Sequence, residues 1–269
     1  MPARLTAQQI DFYRREGYLL YDQPVLPAAK FASLREHFER RLALWSRTSD
    51  RSPEHMDVPH FTDPKLFEWV LDAKLLDVVE SIIGPDIALF STHFICKPPA
   101  VGKRVPWHED AYYWRSMIDP VNVVTLWLAI DPSYVENGCM RVIPQSHQSA
   151  PRVHGPALDP NNAVLSGELP VEVSDESRAV DCILEPNHCS LHDAMLVYGS
   201  NANNGTMRRC GYTMRFMPTT VKFLDAGHRK GFQIDPARGK DRAGNVYGDP
   251  SKVNEAWLSQ HAEQRRLVG

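Results

Sequence analysis

The chain has 269 residues, of which 43% are hydrophobic and 23% charged, with 30 Lys and Arg against 33 Asp and Glu and a formal net charge of −3. Such a composition suits a globular protein with a sizeable core and excludes disordered and collagen-like classes. The balance of charge excludes the basic footprint of a nucleic-acid binder or a polybasic membrane patch, and no apolar run approaches the roughly 18 residues of a membrane span.

Met1 to Thr6 lacks the apolar stretch of a signal peptide, and the five cysteines (96, 139, 182, 189, 210) include no Cys-x-x-Cys pair. A reduced, cytoplasmic protein is the expectation. Residues 6–16 read as a helix, because Thr6 and Gln9 have capping-box spacing, Ile10, Tyr13 and Arg14 recur at helical intervals, and Gly17 can stop it. Residues 18–21 suit a short strand. From about 27 to 45, Phe31, Leu34, Phe38, Leu42 and Trp45 form one apolar stripe of a longer helix. Residues 46–64 form a polar loop whose two histidines, His55 and His60, are expected to be solvated. A further helix spans about 67–83, ended by Gly84 and Pro85.

From Ile87 the texture changes to short runs rich in β-branched and aromatic residues: 87–96, 107–114, 122–130, 139–143, 171–173, 179–184, 190–198 and 210–217. Turn signals such as Glu136-Asn137-Gly138 separate them. This pattern predicts an antiparallel sandwich or barrel. The segment from 222 is rich in Gly, Asp and Arg and suggests a flap over a site, followed by a polar, peripheral helix over about 251–266.

Two stretches carry chemistry. In Trp107-His108-Glu109-Asp110, the period of a strand would project His108 and Asp110 from one face. One imidazole and one carboxylate form part of the 2-His-1-carboxylate arrangement that holds non-haem Fe(II). Alone, the pair also suits an ordinary polar strand edge. In the second stretch, two strands flank a polar loop between Tyr198 and Arg209. An arginine there can grip a carboxylate bidentately beside a metal. A solvated Arg208-Arg209 pair at a strand start is the plainer alternative.

Together with Thr92 to Lys103 and Asn137-Gly-Cys-Met-Arg-Val-Ile-Pro-Gln-Ser-His147, these stretches resemble the phytanoyl-CoA dioxygenase (PhyH-like) family of Fe(II)/2-oxoglutarate oxygenases over roughly residues 6–220. The resemblance implies a mainly β chain with flanking α-helices and a double-stranded β-helix (jelly-roll) core. It implies one domain, with a helical buttress over about 6–83, the core over about 87–220 and a C-terminal loop and helix over 221–269. It implies iron on His108 and Asp110, Arg209 on the far carboxylate of 2-oxoglutarate, and Ser200, Trp127 and His93 lining the cosubstrate site. O2 and a small organic substrate complete the set. Tyr112, Tyr113 and Trp114 could line the substrate pocket or simply pack there.

The sequence departs from the family at the third iron ligand. That histidine falls on Tyr198, with Gly199, Ser200 and Arg209 holding the alignment in place. A phenolate can ligate iron but favours Fe(III). His192, six residues earlier, would lie roughly 20 Å away along an extended strand and is out of reach unless the chain bends sharply. Two readings follow: an oxygenase that uses Tyr198 as its third ligand, or a degenerate small-molecule-binding protein on the same scaffold.

Overall fold

The computed structural model describes residues 4–149, 152–224 and 229–268. Two antiparallel sheets face each other. The larger runs in the order Tyr18–Tyr21, Cys189–Asp193, Val124–Ala129, Arg209–Pro218, Ile87–Lys97, Asp235–Arg238, with Met56–Asp57 also paired to Ile87–Lys97. The smaller runs Val180–Cys182, Met140–Val142, Tyr198–Ser200, Val105–His108. Strands alternate between sheets along the chain, which is the double-stranded β-helix, or jelly roll.

The period of two explains how the large sheet builds a core on one face and a pocket on the other. Leu126, Leu128, Leu191, Tyr212, Met214 and Phe216 point outward into the main hydrophobic cluster. There they meet Phe31, Leu34 and Phe38 of the helix Ala28–Thr48, and Leu75 and Val79 of the helix Ala73–Ile83. The positions between them face inward. Registered across the sheet, Ser91, Arg215, Thr125 and His192 form one inward row, and His93, Thr213, Trp127 and Ser190 the next.

The helix Ala7–Glu16 has its predicted capping box at Thr6 and Gln9 and ends on Gly17, which is left-handed at φ 81°. Other expectations need correction. The helix expected over 67–83 is two, Phe67–Val70 and Ala73–Ile83, because Asp72 caps a fresh start through the Lys74 amide. The strand expected over 107–114 ends at His108, and Asp110–Trp114 is helical. No strand occupies 171–173; Val173–Glu176 is a helical turn. The strand expected over 190–198 is broken by a turn at 194–197, where the Leu196 amide donates to the Asp193 carbonyl. The expected last helix is a short α-helix, Glu255–Gln260, followed by a 3-10 segment, Ala262–Leu267. The expected flap mostly lies elsewhere: Asp235–Arg238 extends the large sheet, and the following turn is pinned to Asp86 through Lys240 and Arg242. Residues 225–228 lie outside the described residues.

Candidate active site

Between the sheets lies a cavity of about 420 Å³, lined among others by His93, His108, Asp110, Tyr113, Trp114, Trp127, His192, Tyr198, Ser200, Arg209 and Arg215. His108 ends its strand opposite Tyr198, so both project into the cavity from the small sheet. Glu109 remains extended and carries the chain to Asp110, which begins a helix. The same-side placement of His108 and Asp110 therefore survives the change of element. His108 Nδ1–H donates to the Pro106 carbonyl at 2.8 Å, which leaves the lone pair on Nε2, 3.7 Å from Asp110 Oδ1. Glu109 turns the other way, to Arg152 at 3.0 Å and Arg115 at 3.5 Å, while its amide donates to His154.

Burial pushes the Asp110 carboxyl up, but the Arg215 guanidinium and then His108 outweigh it and hold the group well below the usual carboxylate range. Arg215 Nε lies 3.4 Å from Asp110 Oδ2. Arg215 is thus a direct neighbour of the candidate metal pair. Its even spacing from Arg209 along one strand was the available signal. Arg209, Gly211, Thr213 and Arg215 share a face.

Tyr198 is buried, its ring centroid 4.2 Å from that of His108 and 4.7 Å from that of His192. Burial and the Asp110 charge push its phenol well above 10, so the hydroxyl stays protonated beside the carboxylate. The sharp bend that would bring His192 within reach is present: the turn at 194–197 folds the chain back and returns His192 to the same cavity. Burial pushes its imidazole down to about 4, so it is neutral at pH 7.

At the other end of the cavity, Arg209 is 2% exposed and stacks 5.1 Å over Trp127, with Nε donating to the Gly138 carbonyl. The φ of 75° at Gly138 and its close approach to the Asn201 carbonyl require glycine there. Lys97, fully buried, donates to the Ser200 hydroxyl at 2.7 Å and to the Asn201 carbonyl. Sequence reading passed over Lys97; its place one residue before Pro98-Pro99 gave no sign of burial. Both cations are held by neutral acceptors, and burial, then Arg209, pushes the Lys97 ammonium down. By contrast Arg208 faces outward, bound to Asp131 at 2.7 Å and to Glu39.

His93 lines the cavity, with Nε2 on the Glu54 carbonyl at 2.9 Å. Tyr113 and Trp114 also line it, whereas Tyr112 does not: it is 39% exposed and stacks on His154 at 4.1 Å. The two loop histidines are not simply solvated either. His55 reaches the cavity, and His60 is buried against Thr92.

His108 and Asp110 suit a first-row dication, since Nε2 and a carboxylate oxygen converge with the tautomer fixed. Among the described residues, however, no three His, Cys, Asp or Glu side chains already converge on one point.

A jelly roll with this imidazole–carboxylate pair facing a buried arginine defines the class of the non-haem oxygenases. A model of the phytanoyl-CoA dioxygenase (PhyH) family matches residues 13–211, and the chain belongs to that family. The peroxisomal phytanoyl-CoA dioxygenase of Homo sapiens is 25% identical over 244 residues, covering 82% of this chain and 71% of that protein. A probable alpha-ketoglutarate-dependent hypophosphite dioxygenase of Stutzerimonas stutzeri is 27% identical over 161 residues, 56% of this chain and 52% of that one. Among solved structures, the non-heme monooxygenase ThoJ is 22% identical with a TM-score of 0.72, covering 96% of this chain and 97% of that chain. EctD from S. alaskensis, solved with 2-oxoglutarate and 5-hydroxyectoine, is 20% identical with a TM-score of 0.70, covering 92% and 89%. By family the chain is thus a 2-oxoglutarate-dependent non-haem oxygenase, and the cofactors of that class are Fe(II), 2-oxoglutarate and O2. Among the described residues, no helix is long and apolar enough to cross a membrane.

Proposed function

We propose that this protein oxidises a small organic molecule, with conversion of 2-oxoglutarate to succinate and CO2. The observation that carries this reading is the pairing of two parts of one cavity: His108 and Asp110 in one, and Arg209 with Ser200 in the other, the Ser200 hydroxyl held in turn by the buried Lys97 ammonium outside the lining. A buried guanidinium on a neutral acceptor, backed by a second buried cation on Ser200, forms a receptor for an anion, and the far carboxylate of a dicarboxylate would supply the missing charge. Arg209 grips the distal carboxylate, Lys97 adds charge through its contact with Ser200, and Trp127 holds the guanidinium plane. His93 lines the same chamber.

His108 and Asp110 would hold the iron, with Tyr198 standing at the family's third-ligand position. Bound there, the metal supplies the oxidative chemistry with O2. Tyr113 and Trp114 wall the space beside Asp110 and exclude water from it.

A second reading has one specific observation in its favour. The Arg215 guanidinium already gives Asp110 the cation that a metal would give it, which suits a binding protein that has lost turnover. The test is to add Fe(II), 2-oxoglutarate and ascorbate in air and measure succinate with no substrate present. Uncoupled succinate above a His108→Ala control supports the oxygenase, and equal traces from both favour the binding protein.

A further inference from the structure

The small sheet offers one imidazole to the metal site, at His108, and a phenol where the family has its second. The large sheet offers another imidazole. His192 is 1% exposed, and among the described residues it is the one histidine with both ring nitrogens buried and without a hydrogen-bond partner. A buried polar atom without a partner costs stability, and native proteins rarely keep two on one side chain. A histidine retained only for packing would bond at least one nitrogen, and a phenylalanine would fill the same space without the cost.

Its position says what it lacks. His192 stands two strands from Arg215 on the inward row whose arginine rests on Asp110. Asp110 is the acid that acts on it most strongly. Its ring packs against the Tyr198 ring, as the His108 ring does. Two other cavity histidines are engaged: His108 Nδ1 with the Pro106 carbonyl and His93 Nε2 with the Glu54 carbonyl.

We propose that His192 is the second imidazole ligand of the metal site, replacing from the large sheet the nitrogen that Tyr198 no longer supplies from the small one. The proposal rests on the metal-binding reading above. Since three ligands do not yet converge among the described residues, His192 must turn about its side-chain bonds toward Asp110. No hydrogen bond holds its nitrogens back. Tyr198 then serves as a neutral ring packed against both imidazoles, and a neutral nitrogen suits a divalent first-row ion better than a phenolate does.

The test uses metal-free full-length protein titrated with Co(II) alone and with Cu(II) alone, in the wild type and in His108→Ala, His192→Phe, His192→Gln and Tyr198→Phe. Wild type should bind one Co(II), and both His192 variants should weaken it by more than about 100-fold, beyond the loss expected for an outer-shell partner. Pulsed EPR of the Cu(II) form should count two imidazoles in wild type and in Tyr198→Phe, but one in His192→Phe. Without metal, His192→Phe should melt no lower than wild type, because it removes two unpartnered nitrogens. If binding depends on His108 and not on His192, or if Tyr198→Phe alone loses the metal, this proposal is overturned while the metal reading stands. If wild type binds no better than His108→Ala, both fall.

Discussion

Arg208 and Arg209 are neighbours in sequence with opposite environments, and that contrast can be tested directly. Arg209 is buried in the cavity on neutral acceptors, whereas Arg208 closes an ion-pair triangle with Glu39 and Asp131 outside it. Arg209→Ala should weaken 2-oxoglutarate binding by about 2–5 kcal/mol, the range for removing one partner of a buried charge pair. Arg208→Ala should leave that affinity unchanged and lower the melting temperature instead, since Asp131 is buried and would lose its partner. Calorimetric titration and a melting curve on each variant decide it; a large affinity loss in Arg208→Ala would contradict the assignment. Asp110→Ala should abolish specific Co(II) or Fe(II) binding in a protein that still folds. Unchanged metal affinity would remove Asp110 from the site.

At the scale of elements, the strand Arg209–Pro218 can face a pocket because of one small residue. A Cβ on Gly211 would meet the Trp127 ring at 2.0 Å. Gly211→Ala should therefore displace Trp127 and, with it, the surface on which Arg209 stacks. Overpacking of this kind costs about 1–3 kcal/mol, and the raised Kd for 2-oxoglutarate should exceed that of a Thr213→Ser control. If Gly211→Ala binds normally, the stack does not position Arg209.

A second element, the edge strand Asp235–Arg238, buries Asp235 3.6 Å from His60, and neither facing atom has a partner among the described residues. Burial pushes the Asp235 carboxyl up to about 7. Between about pH 4 and 7 the folded protein thus keeps a proton that the unfolded chain has lost, so this group makes stability fall as pH rises through that window. The penalty is complete above the folded pKa and reaches at most about 4 kcal/mol at roughly 1.4 kcal/mol per unit. Asp235→Asn should gain stability over wild type at pH 8 and much less at pH 5. Burial holds His60 neutral down to about 3, which acts in the opposite direction, but that contribution is common to both proteins. A pH-independent difference in denaturant midpoints would show that Asp235 does not titrate there.

What the sequence disclosed follows the same division. Local signals located the capping box at Thr6, the left-handed Gly17 and the short-strand texture after Ile87. The family match brought His108, Asp110, Trp127, Ser200 and Arg209 to one cavity. Misreadings came where tertiary contacts override local pattern. The run 190–198 is apolar enough for one strand, and only the turn at 194–197 reveals that His192 returns to the site. Burial of Lys97 and the outward turn of Tyr112 depend on which face meets a helix or the cavity, and no spacing in the chain encodes that; for Arg215 the even spacing from Arg209 did, once that face was known to be inward.

For the whole molecule, the anion end of the cavity is a store of unfavourable charge that ligand binding should release. Lys97 and Arg209 are both buried beside each other, and Glu54, the acid that counters them, is itself pushed up by burial. The ligand-free fold therefore bears the repulsion, and a bound dicarboxylate removes it. By mass action, 2-oxoglutarate at a hundred times its Kd stabilises the fold by about 2.7 kcal/mol. For a chain of this size that corresponds to a rise in Tm of roughly 5–10 °C. Lys97→Met keeps most of the stem and removes the charge. It should raise the melting temperature of the ligand-free protein, because one buried cation is gone, and should shrink the shift given by 2-oxoglutarate. Arg208→Ala, outside the cavity, should show the full shift from its own lower baseline. If Lys97→Met melts below wild type without ligand and still shows the full shift, Lys97 is a structural hydrogen-bond donor to Ser200 and Asn201, and the anion end consists of Arg209 alone.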